Sequence, residues 1–486
     1  MLHRSNGTAI YQQVTEALAG AIASGDLSLG ARLPSERDLA ASLGISRTTA
    51  VNAYRELAAR GLVRGHVGRG TFVCAGNGPE PVGAPFAWRG KVALGARRSL
   101  DASLRTIVRA ASDPSVISFA AGAPALDLFP TDIFRDLIDR VLRRHPTAAL
   151  GLAPTEGQPD LRRAIATRHR VRPEQVLIVA GAQQGLDLIA RCLLDPGDVV
   201  VVDRPGYLGA IQVFRAAGAN LIGWDAEHGN LEELEDLLLR YRPKLLCTTP
   251  TLQNPTGRTS SAPHRRELLD LAARYRLPIV EDEPYRELWF DRPPPPTLLE
   301  LDRGQSVIHV GTFSKTLAGG LRLGWVAANE AIVEQLATIK QRGDISTASL
   351  SQLVVADYLR SPHHDRHLTT LRVEHKRRHD LMFAALRRHL PPGALTCAPV
   401  QGGLYLWCRL APGLDARELL QAATAAGVVF VTGDLFYPDG NGAQELRLCF
   451  SCAPPAAIEE GVRRLGSVIQ ELSHPARARA TGTPLV

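Results

Sequence analysis

From about residue 113 onward, short β-rich apolar runs alternate with helical stretches, and that alternation limits the possible folds sharply. The runs fall at 176–179, 199–202, 245–248, 279–281 and 307–310. Strands separated by helices pair in parallel, so the pattern predicts an α/β region whose mostly parallel central sheet is flanked by helices. The chain has 486 residues, enough for two to four folding units. Residues 1–75 are helix-dense and end in a short β-like segment. Residues 75–95 hold five glycines and three prolines, too many for a regular element. The expected organisation is therefore a first domain over 1–75, a linker over 76–112 and a large domain over 113–486.

Composition removes several classes of function. With 45% hydrophobic and 22% charged residues, the chain is not globally disordered. No apolar run approaches the roughly 18–20 residues of a membrane helix, and residues 1–8 are polar with no secretory core. The seven cysteines are read as containing no C-x-x-C pair, which argues against a disulfide framework and a metal site. A cytoplasmic protein with no membrane partner is expected. Charge is uneven: eight arginines against five acids give residues 1–75 a net +3, while the other 411 residues carry only +4. The basic density at the N-terminus points to a polyanion.

That N-terminal segment has a definite pattern. Ile10, Val14, Leu18 and Ile22 recur at helical spacing. Ser35, with Asp38 three residues on, is placed to cap a short helix over 35–43, and Ser46 to cap a second from 47 to about 59, after a tight turn at Gly44. Leu39, Ala40, Leu43, Ile45, Val51 and Leu57 would form the shared core of a helix-turn-helix. Residues 62–64 and 70–73 read as strands around a Gly/Arg-rich tip, a wing. In such a motif the second helix offers its first residues to base edges, here Arg47, Thr48 and Thr49, while Arg37 and Arg69 are placed for phosphates. The run LPSERDLAASLGISRTTAVNAYRELAARGLVRGHVGRGTFV resembles the winged helix-turn-helix of GntR-type bacterial regulators. That resemblance implies promoter DNA as a partner.

In the large region the most informative run is HVGTFSKTLAGGLRLGW, residues 309–325. It sets Lys315 at the C-terminal end of a strand, where open α/β sheets place ligands. A lysine held among apolar and small residues can have a lowered pKa and form Schiff bases. Thr312, Ser314 and Arg322 add hydroxyls and a fixed cation suited to a phosphate. TPTLQNPTG puts Asn254 in a turn after a strand; PIVEDEPYREL ends a strand at Asp282, with Tyr285 three residues on. VAGAQQGLDLIA is a strand followed by a glycine-flanked helix start, an anion site by its free N–H groups. VVVDRPGYLG turns at Tyr207, and ELRLCFS carries Arg447 on a late strand.

Together these runs resemble the fold-type I aminotransferases that use pyridoxal 5′-phosphate, with a smaller α+β subdomain beside the main sheet. The resemblance implies that Lys315 is the Schiff-base lysine and that Asp282 pairs with the pyridinium nitrogen. It implies that Asn254 and Tyr285 bond the phenolate oxygen and that Tyr207 stacks on the ring. The phosphate would sit on the N–H groups of Ala182 and Gln183 with Thr312, Ser314 and Arg322, and Arg447 would clamp an effector carboxylate. The chain departs from the pattern in LGLAPTEG, where many relatives have a tyrosine near Leu152 that reaches the partner's phosphate.

The two halves in one chain resemble the MocR/GabR group of bacterial regulators. That resemblance implies a homodimeric regulator that senses an amino acid, a related amine or pyridoxal phosphate itself. The effector amine would displace Lys315. The alternative is a working aminotransferase with an accessory DNA-binding domain.

Overall fold

Two serines set the helices of the N-terminal part. In the computed structural model, which describes residues 9–66, 70–74, 91–92, 102–225 and 230–473, the chain divides into two units, Met1–Arg98 and Ser99–Val486. The first unit holds α1 (Ile10–Ala23), α2 (Glu36–Leu43) and α3 (Arg47–Ala59). Ser35 Oγ accepts the Asp38 N–H at 3.2 Å, and Ser46 Oγ accepts the Thr49 N–H at 3.1 Å, each satisfying a free donor of a first helical turn. Gly44, at φ 62°, ends α2 in the left-handed conformation that glycine adopts without strain. Strands β1 (Val63–His66) and β2 (Gly70–Val73) pair antiparallel, and Arg32 adds a bridge to Phe72.

The core of this unit differs in part from the expected set. Leu39 and Leu57 are buried; Ala40, Ile45 and Val51 are half-buried, and Leu43 is 41% exposed. The inward stripe of α3 is Ala50, Ala53, Tyr54 and Leu57, the i, i+3, i+4, i+7 spacing of one helix face, so Val51 falls on its flank. Tyr54 anchors that face by donating its hydroxyl to the Pro34 carbonyl at 2.8 Å. The wing tip, including Arg69, lies outside the described residues, as do 75–90 and 93–101 of the expected linker.

In the second unit the helix Ala102–Ala111 packs through buried Ile107 into the core of the smaller subdomain. Strand β3 (Ile117–Ser118) follows, and then the main sheet. Its strands are β4 (Val176–Val179), β5 (Val199–Asp203), β6 (Asn220–Trp224), β7 (Leu245–Thr248), β8 (Ile279–Asp282), β9 (Val307–Thr312) and β10 (Gly324–Ala327). The spatial order is β4-β10-β9-β8-β7-β5-β6, and β10 runs antiparallel to both of its neighbours. The other six strands run one way, so their C-terminal ends share one edge. Fully apolar strands such as Val176–Val179 fit a sheet covered by helices on both faces.

The smaller subdomain is a second sheet, with β11 (Leu395–Cys397), β12 (Tyr405–Leu410), β14 (Val431–Thr432) and β15 (Glu445–Cys449) in the order β11-β12-β15-β14. The long helices His363–His389 and Pro455–Ser473 pack with it, and β13 (Val428–Val429) pairs with β3. No helix among the described residues is long and apolar enough to cross a membrane.

Leu57 has no exposed surface at the centre of the helix-turn-helix core. Leu57→Ala is expected to destabilise that unit by about 2–5 kcal/mol. Urea unfolding of a fragment covering residues 1–74 measures the loss.

Candidate functional site

The shared edge of the parallel strands opens on a cavity of about 350 Å³. Five of the six strand ends contribute to its wall: Ala182 and Gln183 after β4, Tyr207 after β5, Asn254 after β7, Asp282 closing β8 with Tyr285 beyond it, and Thr312 closing β9 with Ser314 and Lys315 beyond it. Arg322 completes one end. All ten residues proposed from sequence to hold a cofactor therefore line one cavity. Arg447 stands just behind, joined to the wall through Asn254.

Asp282 is the electrostatic centre. It is 3% exposed, and its Oδ1 has no hydrogen-bond partner. Burial pushes its carboxyl up to about 7; the nearby His309 and Lys315 pull the other way, and Asp203 adds to the rise. Lys315 lies on a single π-helical turn, Ser314–Ala318, which follows β9 directly. Its Nζ donates to the Gly122 carbonyl at 2.5 Å. Burial lowers its pKa, and the Arg447 guanidinium lowers it further.

One end of the cavity is built for an anion. The helix Ala182–Leu193 starts after Gly181, whose φ is 97°, and points the free N–H groups of its first turn at the cavity. A Cβ at Gly181 would stand 3.1 Å from Arg322 Nη2, so the cation and the helix start are packed together. Arg322 is held by the Ala180 carbonyl at 2.8 Å. Thr312 Oγ1 lies 3.0 Å from Ser314 Oγ and accepts the Ser314 N–H at 3.1 Å. Tyr207 donates its hydroxyl to Gln183 Oε1 at 3.2 Å.

The opposite end carries a buried polar chain. Asn254 Nδ2 donates to the Tyr285 hydroxyl at 3.3 Å, and Arg447 Nη1 donates to Asn254 Oδ1 at 2.9 Å. Arg447 Nη2 donates to the Ala120 carbonyl at 2.8 Å, its Nε has no partner, and its guanidinium lies 4.0 Å from the centre of the Tyr405 ring.

Tyr405 is a participant that sequence reasoning missed. Its hydroxyl lies 3.2 Å from that of Tyr285, and a Cβ on Gly122 would come within 2.4 Å of it, so Gly122 is the residue that leaves it room. The only sequence signal was a tyrosine opening a strand after Gly402-Gly403. The cysteine reading is also corrected: Cys449 and Cys452 have C-x-x-C spacing, and both are free thiols behind this wall. Leu152 is 79% exposed.

In the first unit Arg37, Arg47 and Thr48 are exposed at the starts of α2 and α3. Arg47 lies 3.9 Å from the Glu36 carboxylate, and the Thr49 hydroxyl is engaged by Ser46 at 2.8 Å. Thr49 thus joins the cap, leaving Arg47 and Thr48 as the open pair.

Residues 114–465 match the family "Aminotransferase class I and II". The chain belongs to that family. Residues 10–73 match "Bacterial regulatory proteins, gntR family". The HTH-type transcriptional regulator YdfD of Bacillus subtilis is 32% identical across 95% of this chain and 97% of its own. The "Probable rhizopine catabolism regulatory protein MocR" of Rhizobium meliloti is 31% identical across 100% and 99%. The 2-aminoadipate transaminase of Thermus thermophilus is 37% identical over 80% of this chain and 98% of its own. The crystal structure of that bacterium's α-aminoadipate aminotransferase LysN, complexed with N-(5′-phosphopyridoxyl)-L-leucine, superposes with a TM-score of 0.75 at 36% identity, covering 80% of this chain and 99% of that one. The chain thus has the MocR-type architecture, a gntR-family domain ahead of an aminotransferase-like domain, and its cofactor is pyridoxal 5′-phosphate. The site fits that group: a buried carboxylate oxygen without a donor suits a protonated ring nitrogen, and the helix start with Arg322 suits a phosphate.

Without cofactor, the Asp282 carboxyl holds its proton to about pH 7 in the fold but only to about 3.8 when unfolded. The folded state therefore loses stability as pH rises from about 4 to about 7, and the loss is complete above that. Asp282→Asn removes the effect. Its apo form is expected to gain on wild type across this window, by on the order of a few kcal/mol at the plateau. Denaturant midpoints of both apo proteins at several pH values measure the difference.

Proposed function

We propose that this chain regulates transcription by binding promoter DNA with its N-terminal unit and sensing an amino acid or a closely related amine in the cavity. The observation that carries this reading is the combination in one chain: a winged helix-turn-helix with Arg37, Arg47 and Thr48 exposed at its surface, and a cavity containing a lysine, a buried carboxylate with one oxygen unpartnered, and a helix start. Similarity to HTH-type regulators over nearly the full chain supports it.

In this reading Arg47 and Thr48 meet base edges, with Thr49 as the cap that fixes them, while Arg37 and Arg69 hold phosphates. Bound pyridoxal phosphate supplies an aldehyde carbon reactive toward amines and a ring that withdraws electrons. Burial, and then the Arg447 guanidinium, lower the pKa of Lys315 and so ease loss of the Nζ proton that amine chemistry requires. An effector amine that takes its place returns Nζ to the Gly122 carbonyl, its partner in this structure. Asp282 holds the ring nitrogen, Asn254 and Tyr285 the ring oxygen, and Tyr207 the ring face. Ala182, Gln183, Thr312, Ser314 and Arg322 hold the phosphate. The exposed Leu152 offers no hydroxyl to a second subunit's phosphate. Arg447 receives the effector carboxylate through its unpartnered Nε. The protein is proposed to act as a cytoplasmic homodimer on an operator with two half-sites, since one winged helix reads too little DNA for a genome-scale search.

A specific observation favours one second reading. The cavity keeps the lysine, carboxylate and arginine together, and a transaminase is 37% identical to this chain, so completed amino transfer is the rival. Rapid release of a keto acid in single-turnover assays would decide for it.

Lys315→Ala is expected to abolish borohydride-trapped cofactor while leaving operator binding intact; a trapped adduct in the variant would assign the wrong lysine. Arg47→Ala should weaken specific operator binding by about 1–3 kcal/mol without changing the cofactor's visible band. Arg447→Ala should leave both basal properties in place and weaken the response to amino acids by about 2–5 kcal/mol, read by titrating candidate amino acids against operator binding. An unchanged response would remove Arg447 from the sensing site.

A further inference from the structure

The four-residue segment that closes β15 connects two sulfurs to the wall of the cavity. Cys449 is the last residue of β15, two positions after Arg447 on the same strand face, and it stands opposite Tyr405 in the β12 register. It is fully buried, and its Sγ lies 3.2 Å from Ser451 Oγ. The chain bends at 451–453, bringing Cys452 back so that the two thiols interact directly. Cys452 is partly exposed and donates to the Ala123 carbonyl at 3.2 Å; Ser451 donates to the same carbonyl at 2.6 Å. The residue before it, Gly122, accepts the Lys315 ammonium. One short stretch, 122–124, thus carries the lysine on one side and the cysteine segment on the other.

We propose that Cys449 and Cys452 are a redox modification site, closing to a reversible disulfide under hydrogen peroxide and so resetting the wall that supports Lys315 and Arg447. Cys452, the solvent-side sulfur, passes its proton to Cys449 Sγ and attacks one peroxide oxygen as the thiolate; the O–O bond breaks, the departing hydroxide takes a proton from solvent and leaves as water, and Cys452 becomes a sulfenic acid. Cys449 then attacks that sulfur, the S–O bond breaks, and a second water leaves with the Cys449 proton. Two thiols and one peroxide give one disulfide and two waters. Three features favour the pair. Burial raises the Cys449 thiol, but hydrogen bonds from Cys452 and Ser451 and then the Arg447 guanidinium bring it down to about 6, while Cys452 is pushed up by the same pairing, so Cys449 is the acceptor for the Cys452 proton. The resolving thiol lies across the same short bend, with Ser451 between the two, so the sulfenic acid is trapped before further oxidation. Closure also removes the S–H donor from the Ala123 carbonyl, loosening the stretch on which Lys315 rests.

The chain contains its own comparator. Cys397 and Cys408 face each other across β11 and β12, but neither lines the cavity. Oxidation there should leave Lys315 and effector binding unaffected.

The functional consequence rests on the proposed sensing role of the cavity; the chemistry does not. The full-length protein, loaded with pyridoxal phosphate, is treated with hydrogen peroxide, alkylated and digested with trypsin. Both sulfurs fall in one peptide, after Arg447 and ending at Arg463. That peptide is expected two hydrogens lighter and unalkylated, and fully alkylated after dithiothreitol. Alkylated cysteines after peroxide, or sulfinic acids in place of the disulfide, would overturn the proposal. Cys452→Ser keeps a donor for Ala123 and should retain wild-type effector response while losing the peroxide effect, whereas Cys397→Ser should keep it. In wild type, closure should raise the amino acid concentration for half-maximal response by about tenfold, reversed by dithiothreitol. A disulfide that forms with no change in a protein that responds normally would overturn the regulatory part. A protein that closes the disulfide but never responds to amino acids counts against the sensing reading instead.

Discussion

A carboxylate buried without a donor on one oxygen is the most demanding feature of the second unit. Isolated in a low-dielectric interior, such a group costs several kcal/mol or stays protonated. Asp282 is tolerated because it closes β8 at the edge of a parallel sheet, where the fold gathers strand ends around open space. Its surroundings follow from that position. Lys315, beyond the end of the neighbouring strand, and His309, across the ladder, draw its carboxyl down, and Asp203 pushes it up. The site is unbalanced until a cation is supplied at the free oxygen, and a protonated ring nitrogen is such a cation.

The parts legible in the sequence were those with a local cause. Ser35, Gly44 and Ser46 mark helix ends by their own chemistry, so the helix-turn-helix could be read almost to the residue. Strand-end residues such as Asp282 and Lys315 could be placed because the strands announce themselves as apolar runs and a parallel sheet fixes which end faces the ligand. Where the sequence reading failed, the cause was tertiary. Val51 and Leu43 are apolar, yet the inward face of α3 is set one residue from Val51, and Leu43 is the last residue of α2 and stays 41% exposed. Tyr405 belongs to a different sheet, and nothing in its own neighbourhood indicates that it meets Tyr285. The Cys449–Cys452 spacing was visible in the sequence. Its meaning depends on a bend at 451–453 and on a carbonyl more than 300 residues away in the chain.

The two units place different demands on their arginines. In the N-terminal unit Arg37 and Arg47 are solvent-exposed, where a cation is inexpensive and contributes mainly through long-range attraction to a polyanion. Arg447 is 4% exposed, and two of its donor groups are already committed to Asn254 and Ala120. A charge held that way is costly unless its remaining N–H groups, Nε among them, find acceptors, which suits selective recognition of a small anion.

Asn254 uses both ends of one amide: its oxygen accepts from Arg447, and its nitrogen donates to Tyr285. The two bonds fix which way the amide faces, so the arginine and the tyrosine cannot be rearranged independently. A ligand carboxylate at Nε loads the same guanidinium whose Nη1 holds the amide oxygen, and so acts on the amide through Arg447; a plain amine leaves that guanidinium as it is. On the proposed reading the pocket therefore has a built-in means of telling an amino acid from its decarboxylated counterpart. The difference arises at the amide, one residue removed from the atoms that carry the charge.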